Sequence, residues 1–238
     1  MSKIVIIAVL FSLLISCSKP PYPKAWFEPV NDPNKPDWEI LPQEAKRGEV
    51  ILSKRNELGI LSNFAATPFE LDGKRYASVE GFWQMMLYPE TEPCPDCPID
   101  PRLKEGVEWK YAREQVSQMT GFEAKQAGTL AEENMKKLGI DWCTYSVNGI
   151  DTFDIDGKGR FPYRSATPGT HYALIVAAMR AKLNQNPEVK SILLATGDLR
   201  LRPDHYGEPA PPPEWYYCDI WMQLRNELRP QSDTYSIF

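Results

Sequence analysis

The local signals that decide how this chain folds lie in Leu61–Gln84, which reads LSNFAATPFELDGKRYASVEGFWQ. Its Asp72-Gly73 pair predicts a tight hairpin turn, because both residues tolerate the positive φ angles that such a turn requires. Ser78 follows at the position of a helix N-cap, and Pro89 predicts the end of that helix. A hairpin that leads directly into a helix indicates a mixed α and β structure.

The predicted helix places three functional candidates together. Glu80, Trp83 and Gln84 follow one another at spacings of three and four residues, so they share one face. A second face is apolar and is expected to point into the core.

Further elements are predicted on the C-terminal side of this segment. Helical patterns cover 107–119, 123–138, 168–184 and 216–228, an apolar element covers 189–194, and a short strand covers 199–202. Neither an internal repeat nor a long linker divides the region. Residues 45–238 are therefore predicted to form one helix-rich α+β domain with a small antiparallel hairpin or sheet.

Composition excludes several classes of protein. The chain has 238 residues, with 27 Lys and Arg against 32 Asp and Glu, which gives a formal net charge of −5. Generic nucleic-acid binders and proteins that coat anionic membranes need a basic surplus, so nucleic acid is not an expected partner. A hydrophobic fraction of 42% excludes a disordered chain.

The N-terminus predicts export. Residues 1–16 combine one lysine with a short apolar run and a small residue, which is typical of a signal peptide. The next residue, Cys17, completes a stretch that resembles a bacterial lipobox, so we expect lipidation there; an ordinary cleaved signal peptide is the alternative. The proline-rich segment 17–44 predicts an extended tether, whose aromatic residues either dock onto the domain surface or are loosely held. The expected location is the bacterial cell envelope, with the chain anchored to the outer membrane by lipid.

Four cysteines follow the lipobox. In an exported domain they favour structural disulfides, with three possible pairings. Cys94 and Cys97 also have the CxxC spacing of redox motifs and of half zinc sites. A redox motif would require a following helix, which the nearby prolines oppose. The structural disulfide is therefore the preferred interpretation.

Three sequence blocks resemble the NADAR/YbiA-like family. The opening segment is similar to the family's Ser-Asn-Phe turn, DGK-type hairpin and glutamate-initiated helix. GFEAKQAG at 121–128 matches a middle block, and MRAKLNQNPEVKSILLATGD at 179–198 matches a later helix and turn. This resemblance implies a compact helical fold and cleavage of N-glycosidic bonds. Characterised members act on early riboflavin intermediates, and others are linked to NAD and ADP-ribose.

The chemistry of such a bond defines what the two candidate carboxylates would do. Cleavage of a ribosyl C1′–N bond passes through an oxocarbenium-like transition state, and a carboxylate can stabilise it and activate water. Glu80 matches the family's glutamate and is assigned this role, although helix N-termini also favour glutamate for structural reasons. Asp198 is the second carboxylate candidate.

The remaining candidates are assigned to binding the substrate. Asn63 would bind ribose hydroxyls, Phe64 and Trp83 would stack on a base or sugar, and Gln84 would contact the ligand. Lys125 and Arg55 are candidates for phosphate binding. The amides of a turn at Thr196 and Gly197 would meet a polar ligand. Each also has a structural interpretation: an Asx turn, a core aromatic, a surface charge or a simple turn.

The sequence also departs from the family pattern. Gly81 stands where the family usually has histidine, and the expected tryptophan before the third block is replaced at best by Tyr163 or His171. With His171 and His205 as its only histidines, the chain predicts no metal centre, and no cofactor is expected.

Three functions therefore remain open. The first is an N-ribosyl hydrolase whose partner is a small nucleotide-like substrate. The second is a catalytically inactive lipoprotein that binds nucleotide or ADP-ribose. The third is an envelope interaction protein that uses its proline-rich segments, although no obligate protein partner is identifiable from the sequence.

Overall fold

A computed structural model describes residues 22–90, 100–145 and 160–229. The predicted signal peptide, the lipidation site Cys17 and the CxxC pair lie outside these residues. Within the described ranges, no helix combines the length and the apolar character that a membrane span requires.

The described residues form an α+β domain, which confirms the predicted fold class. Its helices are α1 Val79–Met85, α2 Arg113–Ser117, α3 Gly121–Leu138, α4 Thr170–Gln185, α5 Pro187–Ala195 and α6 Tyr217–Glu227. Its strands are β1 Glu49–Ile51, β2 Phe69–Leu71, β3 Lys74–Tyr76, β4 Trp142–Thr144, β5 Arg160–Pro162 and β6 Arg200–Arg202. They form three two-stranded sheets: antiparallel β2–β3 and β4–β5, and parallel β1–β6.

The predicted hairpin turn and the predicted N-cap of α1 are confirmed, whereas α1 ends at Met85, before the predicted end at Pro89. Asp72 and Gly73 have φ angles of 51° and 75°, as the tight turn requires. Ser78 caps α1, since its Oγ accepts a hydrogen bond from the Gly81 amide at 2.9 Å and donates one to the Met119 carbonyl at 2.8 Å. The helix thereby begins at a fixed place and is tied to the chain between α2 and α3.

Gly81 is required by this close packing. A Cβ at this position would lie 2.5 Å from the carbonyl oxygen of Met119 and 2.9 Å from that of Val116. Both atoms belong to the backbone, which cannot move aside as a flexible side chain can. A side chain at position 81 would therefore clash with this backbone, which accounts for the glycine there.

The predicted tether is corrected for residues 22–44, which pack on the domain. Trp26 is only 1% exposed and joins the hydrophobic core. The Ile40 amide donates to the Asp204 carbonyl at 2.8 Å, and the Tyr206 amide donates to the Trp38 carbonyl at 3.1 Å. Apolar side chains among the prolines have made this segment part of the fold.

Tertiary contacts shorten one predicted helix. The pattern over 107–119 gives a helix only at α2, because long-range hydrogen bonds hold the preceding residues as a loop. Asn134 Nδ2 donates to the Glu108 carbonyl at 2.8 Å, and Trp109 Nε1 donates to the Arg102 carbonyl at 2.9 Å. These contacts override local propensity.

The expectation of structural disulfides is wrong for two of the four cysteines. Cys143 and Cys218 are free and buried in the core. Burial raises the pKa of the Cys143 thiol to about 12 and also raises that of Cys218. Both therefore behave as small apolar side chains and not as reactive thiols.

Candidate functional site

A cavity of about 370 Å³ opens beside α1 and the start of α3. This volume is within the range of small-molecule sites. It is lined by Trp38, Lys54, Ser62, Asn63, Phe64, Glu80, Trp83, Gln84, Phe122, Lys125, Tyr163, His205, Tyr206, Gly207, Glu208, Trp215 and Tyr217. Six predicted site residues are therefore brought together: Asn63, Phe64, Glu80, Trp83, Gln84 and Lys125.

Glu80 supplies a buried carboxyl group to this cavity. Its side chain accepts a hydrogen bond from Gln84 Nε2 at 2.8 Å, and its amide donates to the Asn63 carbonyl at 2.9 Å. Glu80 is 7% exposed, and burial raises the pKa of its carboxyl group, against the opposing effects of the Gln84 hydrogen bond and nearby Lys125, His205 and Lys54. A carboxylate of raised basicity is suited to accepting a proton from water.

Gly128 on α3 makes room for the Gln84 side chain. A Cβ at position 128 would lie 1.8 Å from Gln84 Oε1 and 2.2 Å from its Cδ. No other residue type leaves this space free. The glycine in the middle of α3 therefore fixes where the Gln84 amide reaches the Glu80 carboxyl.

We expect Gly128→Ala to displace Gln84 and to alter the site more than the fold. The added methyl group removes the Gln84 rotamer that donates to Glu80, while alanine favours the helix by up to about 1 kcal/mol. Ligand affinity should fall several-fold in a calorimetric titration with AMP, with a melting temperature within a few degrees of wild type. The neighbouring exposed substitution Thr129→Ala is the control. Unchanged affinity in Gly128→Ala would contradict this role.

Two nitrogen-bearing side chains of the cavity lining, those of Lys54 and His205, contact Asp204. Lys54 Nζ donates to both carboxylate oxygens of Asp204 at 2.7 Å, and His205 Nδ1 lies 3.1 Å from Asp204 Oδ1. Burial acts against ionisation of Asp204, yet hydrogen bonds from His205 and Lys54 hold its pKa below the usual value. The buried carboxylate therefore orients two nitrogen-bearing side chains of the cavity wall.

Aromatic side chains form most of the remaining wall. The Phe64 and Phe122 rings meet edge to face with centroids 5.1 Å apart, and the Lys54 ammonium lies 5.3 Å from the Phe64 centroid. The His205 and Tyr217 rings are nearly parallel, with an interplanar angle of 3° and centroids 6.1 Å apart. Aromatic faces next to cations suit a planar ligand that carries negative charge.

A second histidine supports the wall from behind. His171 Nδ1 lies 3.0 Å from Glu214 Oε1 and 2.9 Å from the Tyr163 carbonyl, and its ring contacts Trp83 with centroids 4.8 Å apart. His171 is 2% exposed and does not line the cavity. It positions Trp83 and Tyr163, which do.

Three polar atoms of the cavity residues are buried and have no hydrogen-bond partner: Asn63 Oδ1, Gln84 Oε1 and Trp215 Nε1. Buried polar groups are nearly always paired in folded proteins, because leaving one unpaired costs about 1–3 kcal/mol. Asn63 Oδ1 and Trp215 Nε1 therefore supply one unpaired acceptor and one unpaired donor, whereas Gln84 Oε1 lies in the space beside Gly128.

The other predicted candidates lie elsewhere. Thr196 Oγ1 accepts a hydrogen bond from Arg225 Nη1 at 2.6 Å, and Asp198 pairs with Arg229 at 3.0 Å. Gly197, with a φ of 54°, accepts a hydrogen bond from Arg229 through its carbonyl. Thr196, Gly197 and Asp198 thus form a turn that packs on the C-terminal end of the fold and does not line the cavity.

Arg55 also lies away from the cavity lining. Its guanidinium pairs with Glu39 at 2.6 Å and with Asp32 at 2.8 Å, which ties the N-terminal segment to the domain. The neighbouring Lys54 lines the cavity instead.

Several lining residues were not predicted from the sequence. Lys54, His205, Trp38, Phe122 and Trp215 come from segments far apart in the chain. One of them had a local signal: Phe122 lies three residues before Lys125, so both occupy one face of α3. The others depend on tertiary packing.

No metal centre is found among the described residues, since no three His, Cys, Asp or Glu side chains there are grouped to hold an ion.

No protein-family model matches this sequence, and no curated protein is similar to it. Among solved structures, the chain is similar to the NMR structure of the E. coli protein YbiA. The two share 20% sequence identity over 74% of this chain and 81% of that chain, with a TM-score of 0.39. At that TM-score the similarity decides neither the family nor the activity.

Proposed function

We propose that the protein is a hydrolase that cleaves the N-ribosyl bond of a nucleotide-like substrate, either a ribosylaminopyrimidine phosphate or an ADP-ribosyl compound. One observation carries the proposal: the buried Glu80 carboxyl group lies in a cavity that also contains cations and aromatic faces. A ribosyl phosphate with a heteroaromatic leaving group matches all three kinds of group.

Glu80 acts on the sugar in this proposal. Ionised, it accepts a proton from the attacking water and stabilises the positive charge that develops at C1′. The Gln84 amide holds one of its oxygens, which leaves the other to face water. The unpaired Asn63 Oδ1 is an acceptor for a ribose hydroxyl.

Lys54 and Lys125 act on the phosphate. Both line the cavity, and both oppose the raised pKa of Glu80 through their positive charge. Lys125 is exposed on α3, whereas Lys54 is oriented by Asp204. An ammonium binds phosphate as a point charge, so neither side chain needs a rigid geometry.

His205 assists departure of the base. Its Nδ1–H is bonded to Asp204, so in the doubly protonated imidazolium the ring presents Nε2–H, which passes its proton to the leaving nitrogen and leaves a neutral imidazole. A carboxylate that orients a histidine in this way is a recurrent arrangement in acid–base catalysis. This assignment replaces the histidine that Gly81 excludes from α1.

The test of the function follows free base by mass spectrometry. The wild-type chain lacking residues 1–21 is incubated with AMP, nicotinamide mononucleotide, ADP-ribosylated guanine and a ribosylaminopyrimidine phosphate. Release of a base or of ribose phosphate that depends on Glu80 supports the hydrolase. Absence of release from every compound contradicts it.

His205→Gln should affect two substrates unequally. Adenine leaves AMP as a poor anion unless it is protonated, whereas nicotinamide leaves its mononucleotide as a neutral base. We expect the rate with a purine substrate to fall about 100-fold, in line with general acid catalysis, and the rate with nicotinamide mononucleotide to fall only a few-fold. Equal losses with both would remove His205 from the proton-transfer step.

A second function, ligand binding without turnover, is favoured by one observation. The only two histidines of the chain are His171, which is buried behind the wall, and His205, whose side chain is 44% exposed. A general acid that water reaches is less effective. Saturable AMP binding with no release of base would establish this binding function.

A further inference from the structure

The mouth of the cavity carries two large aromatic side chains that remain accessible to solvent. Trp38 is 42% exposed and Phe122 is 64% exposed. Their rings are tilted by 55° with centroids 6.1 Å apart, and Phe122 is braced edge to face by Phe64. We call Trp38 and Phe122 the aromatic platform.

The platform is held in place although one of its members comes from the predicted tether. The Trp38 carbonyl accepts a hydrogen bond from the Tyr206 amide, and Glu39 forms a β-bridge with His205. Arg55 fixes the Glu39 carboxylate with two hydrogen bonds of 2.6 Å. Because these contacts restrain the backbone directly after the Trp38 Cα, Trp38 is a defined part of the site.

Positive charge lies beside the platform. Lys125 follows Phe122 by three residues on α3 and therefore shares its face. Lys54 lies over the Phe64 ring that braces Phe122. Aromatic faces interleaved with ammonium groups are the means by which proteins bind the bases and phosphates of nucleotides.

We propose that the aromatic platform is a stacking subsite for the planar heteroaromatic ring of a phosphorylated ligand. The proposal shares the nucleotide-like ligand class of the proposed function, but it does not require hydrolysis. Residues 22–44 thereby complete the site: the segment that the sequence predicts as a tether determines which ligands bind.

The test compares two probes that differ in the base alone. Dissociation constants for AMP and for ribose 5-phosphate are measured by calorimetry on chains carrying Glu80→Gln, so that turnover does not interfere. The variants are Trp38→Ala and Phe122→Ala. Phe27→Ala is the matched control, because Phe27 is a 37% exposed aromatic of the same segment that does not line the cavity.

We expect each platform variant to weaken AMP binding about 10-fold or more, as loss of a base–aromatic stack does. Binding of ribose 5-phosphate should change less than about twofold, and Phe27→Ala should leave both probes unchanged. The proposal is overturned if the platform variants weaken the binding of both probes equally or leave AMP binding unchanged. It is also overturned if the Glu80→Gln parent does not bind AMP detectably. If the platform variants weaken AMP binding but the wild type releases no base, the stacking subsite is supported and the proposed hydrolase activity is contradicted.

Discussion

We expect Glu80→Gln to lower the rate of base release by at least about 100-fold while leaving the fold and the ligand affinity intact. Substitution of a general base costs about 10²–10⁴-fold in rate, so kcat should fall by at least 100-fold. The measurement is the initial rate of base release, on whichever substrate of the panel the wild type cleaves. The Kd for ribose 5-phosphate, read by calorimetry, should stay within about threefold.

A catalytic carboxylate is identified when its substitution lowers the rate without lowering the stability of the fold. Glutamine is nearly isosteric with glutamate, and its Oε1 still accepts the 2.8 Å hydrogen bond from Gln84. Burial raises the pKa of the Glu80 carboxyl group, which means that the ionised form is disfavoured in the folded chain. Removal of the charge should therefore leave the melting temperature unchanged or raise it. A purely structural glutamate would instead lose stability together with activity.

The pH profile gives a second readout. Since Glu80 must be ionised to accept a proton, kcat falls as pH decreases through its pKa, and burial places that acid limb above the ordinary value of 4.5. The matched control is Glu123→Gln, an exposed carboxylate in the first turn of α3 that does not line the cavity. If Glu80→Gln retained the wild-type rate, Glu80 would not be the water activator.

Local signals in the sequence predicted the elements around the site. Asp72-Gly73 determines the hairpin, Ser78 caps α1, and Gly139 ends α3 in the left-handed conformation with a φ of 65°. Each depends on one or two residues and their immediate neighbours, so each is visible in a short window. The face formed by Glu80, Trp83 and Gln84 follows from helix spacing alone.

The remainder depends on pairing between distant segments. β1 pairs with β6 across about 150 residues, and β4 pairs with β5, which had no sequence prediction. Lys54 and His205 meet at Asp204 only because that pairing brings the two segments together. Arg55 is a predicted phosphate-binding residue and Lys54 is not, because the neighbouring sequence does not encode which side of a loop a basic residue faces.

Glycines illustrate the same limit. The sequence places Gly128 inside the helix predicted over 123–138 and Gly81 where the family that it resembles usually has histidine. In the structure, the Gln84 amide occupies the space that a side chain at position 128 would fill. The Met119 carbonyl occupies the corresponding space at position 81. A glycine in the sequence therefore does not indicate which neighbouring group requires the absence of a side chain.

Lys182 gives a large expected pH effect on stability. It is fully buried on α4, where its Nζ donates to the Ser62 carbonyl at 2.7 Å and lies 5.7 Å from the Trp221 ring centroid. Burial lowers the pKa of its ammonium group from 10.5 to about 7. The residue thereby holds the Ser62 turn that precedes Asn63.

The sign of the effect follows from proton uptake. Between pH 7 and 10 the unfolded chain keeps Lys182 protonated while the folded chain does not, so stability rises with pH over this window. The limiting slope is about 1.4 kcal/mol per pH unit for one group. From pH 6.5 to 8.5 we expect the free energy of unfolding to increase by about 2 kcal/mol, which corresponds to a melting temperature higher by roughly 4–8 °C.

Lys182→Met isolates this contribution, because methionine keeps the length and apolar stem but cannot titrate. Urea unfolding is measured for both chains from pH 6.5 to 8.5, and the difference between them is plotted against pH. Other groups, such as the buried Cys143 with its raised pKa, contribute equally to both curves and cancel. The free energy of unfolding of the wild type, minus that of Lys182→Met, should increase by about 2 kcal/mol from pH 6.5 to pH 8.5. If this difference does not depend on pH, Lys182 keeps its proton in the folded chain. The Ser62 carbonyl and the Trp221 ring would then stabilise the buried ammonium group against desolvation.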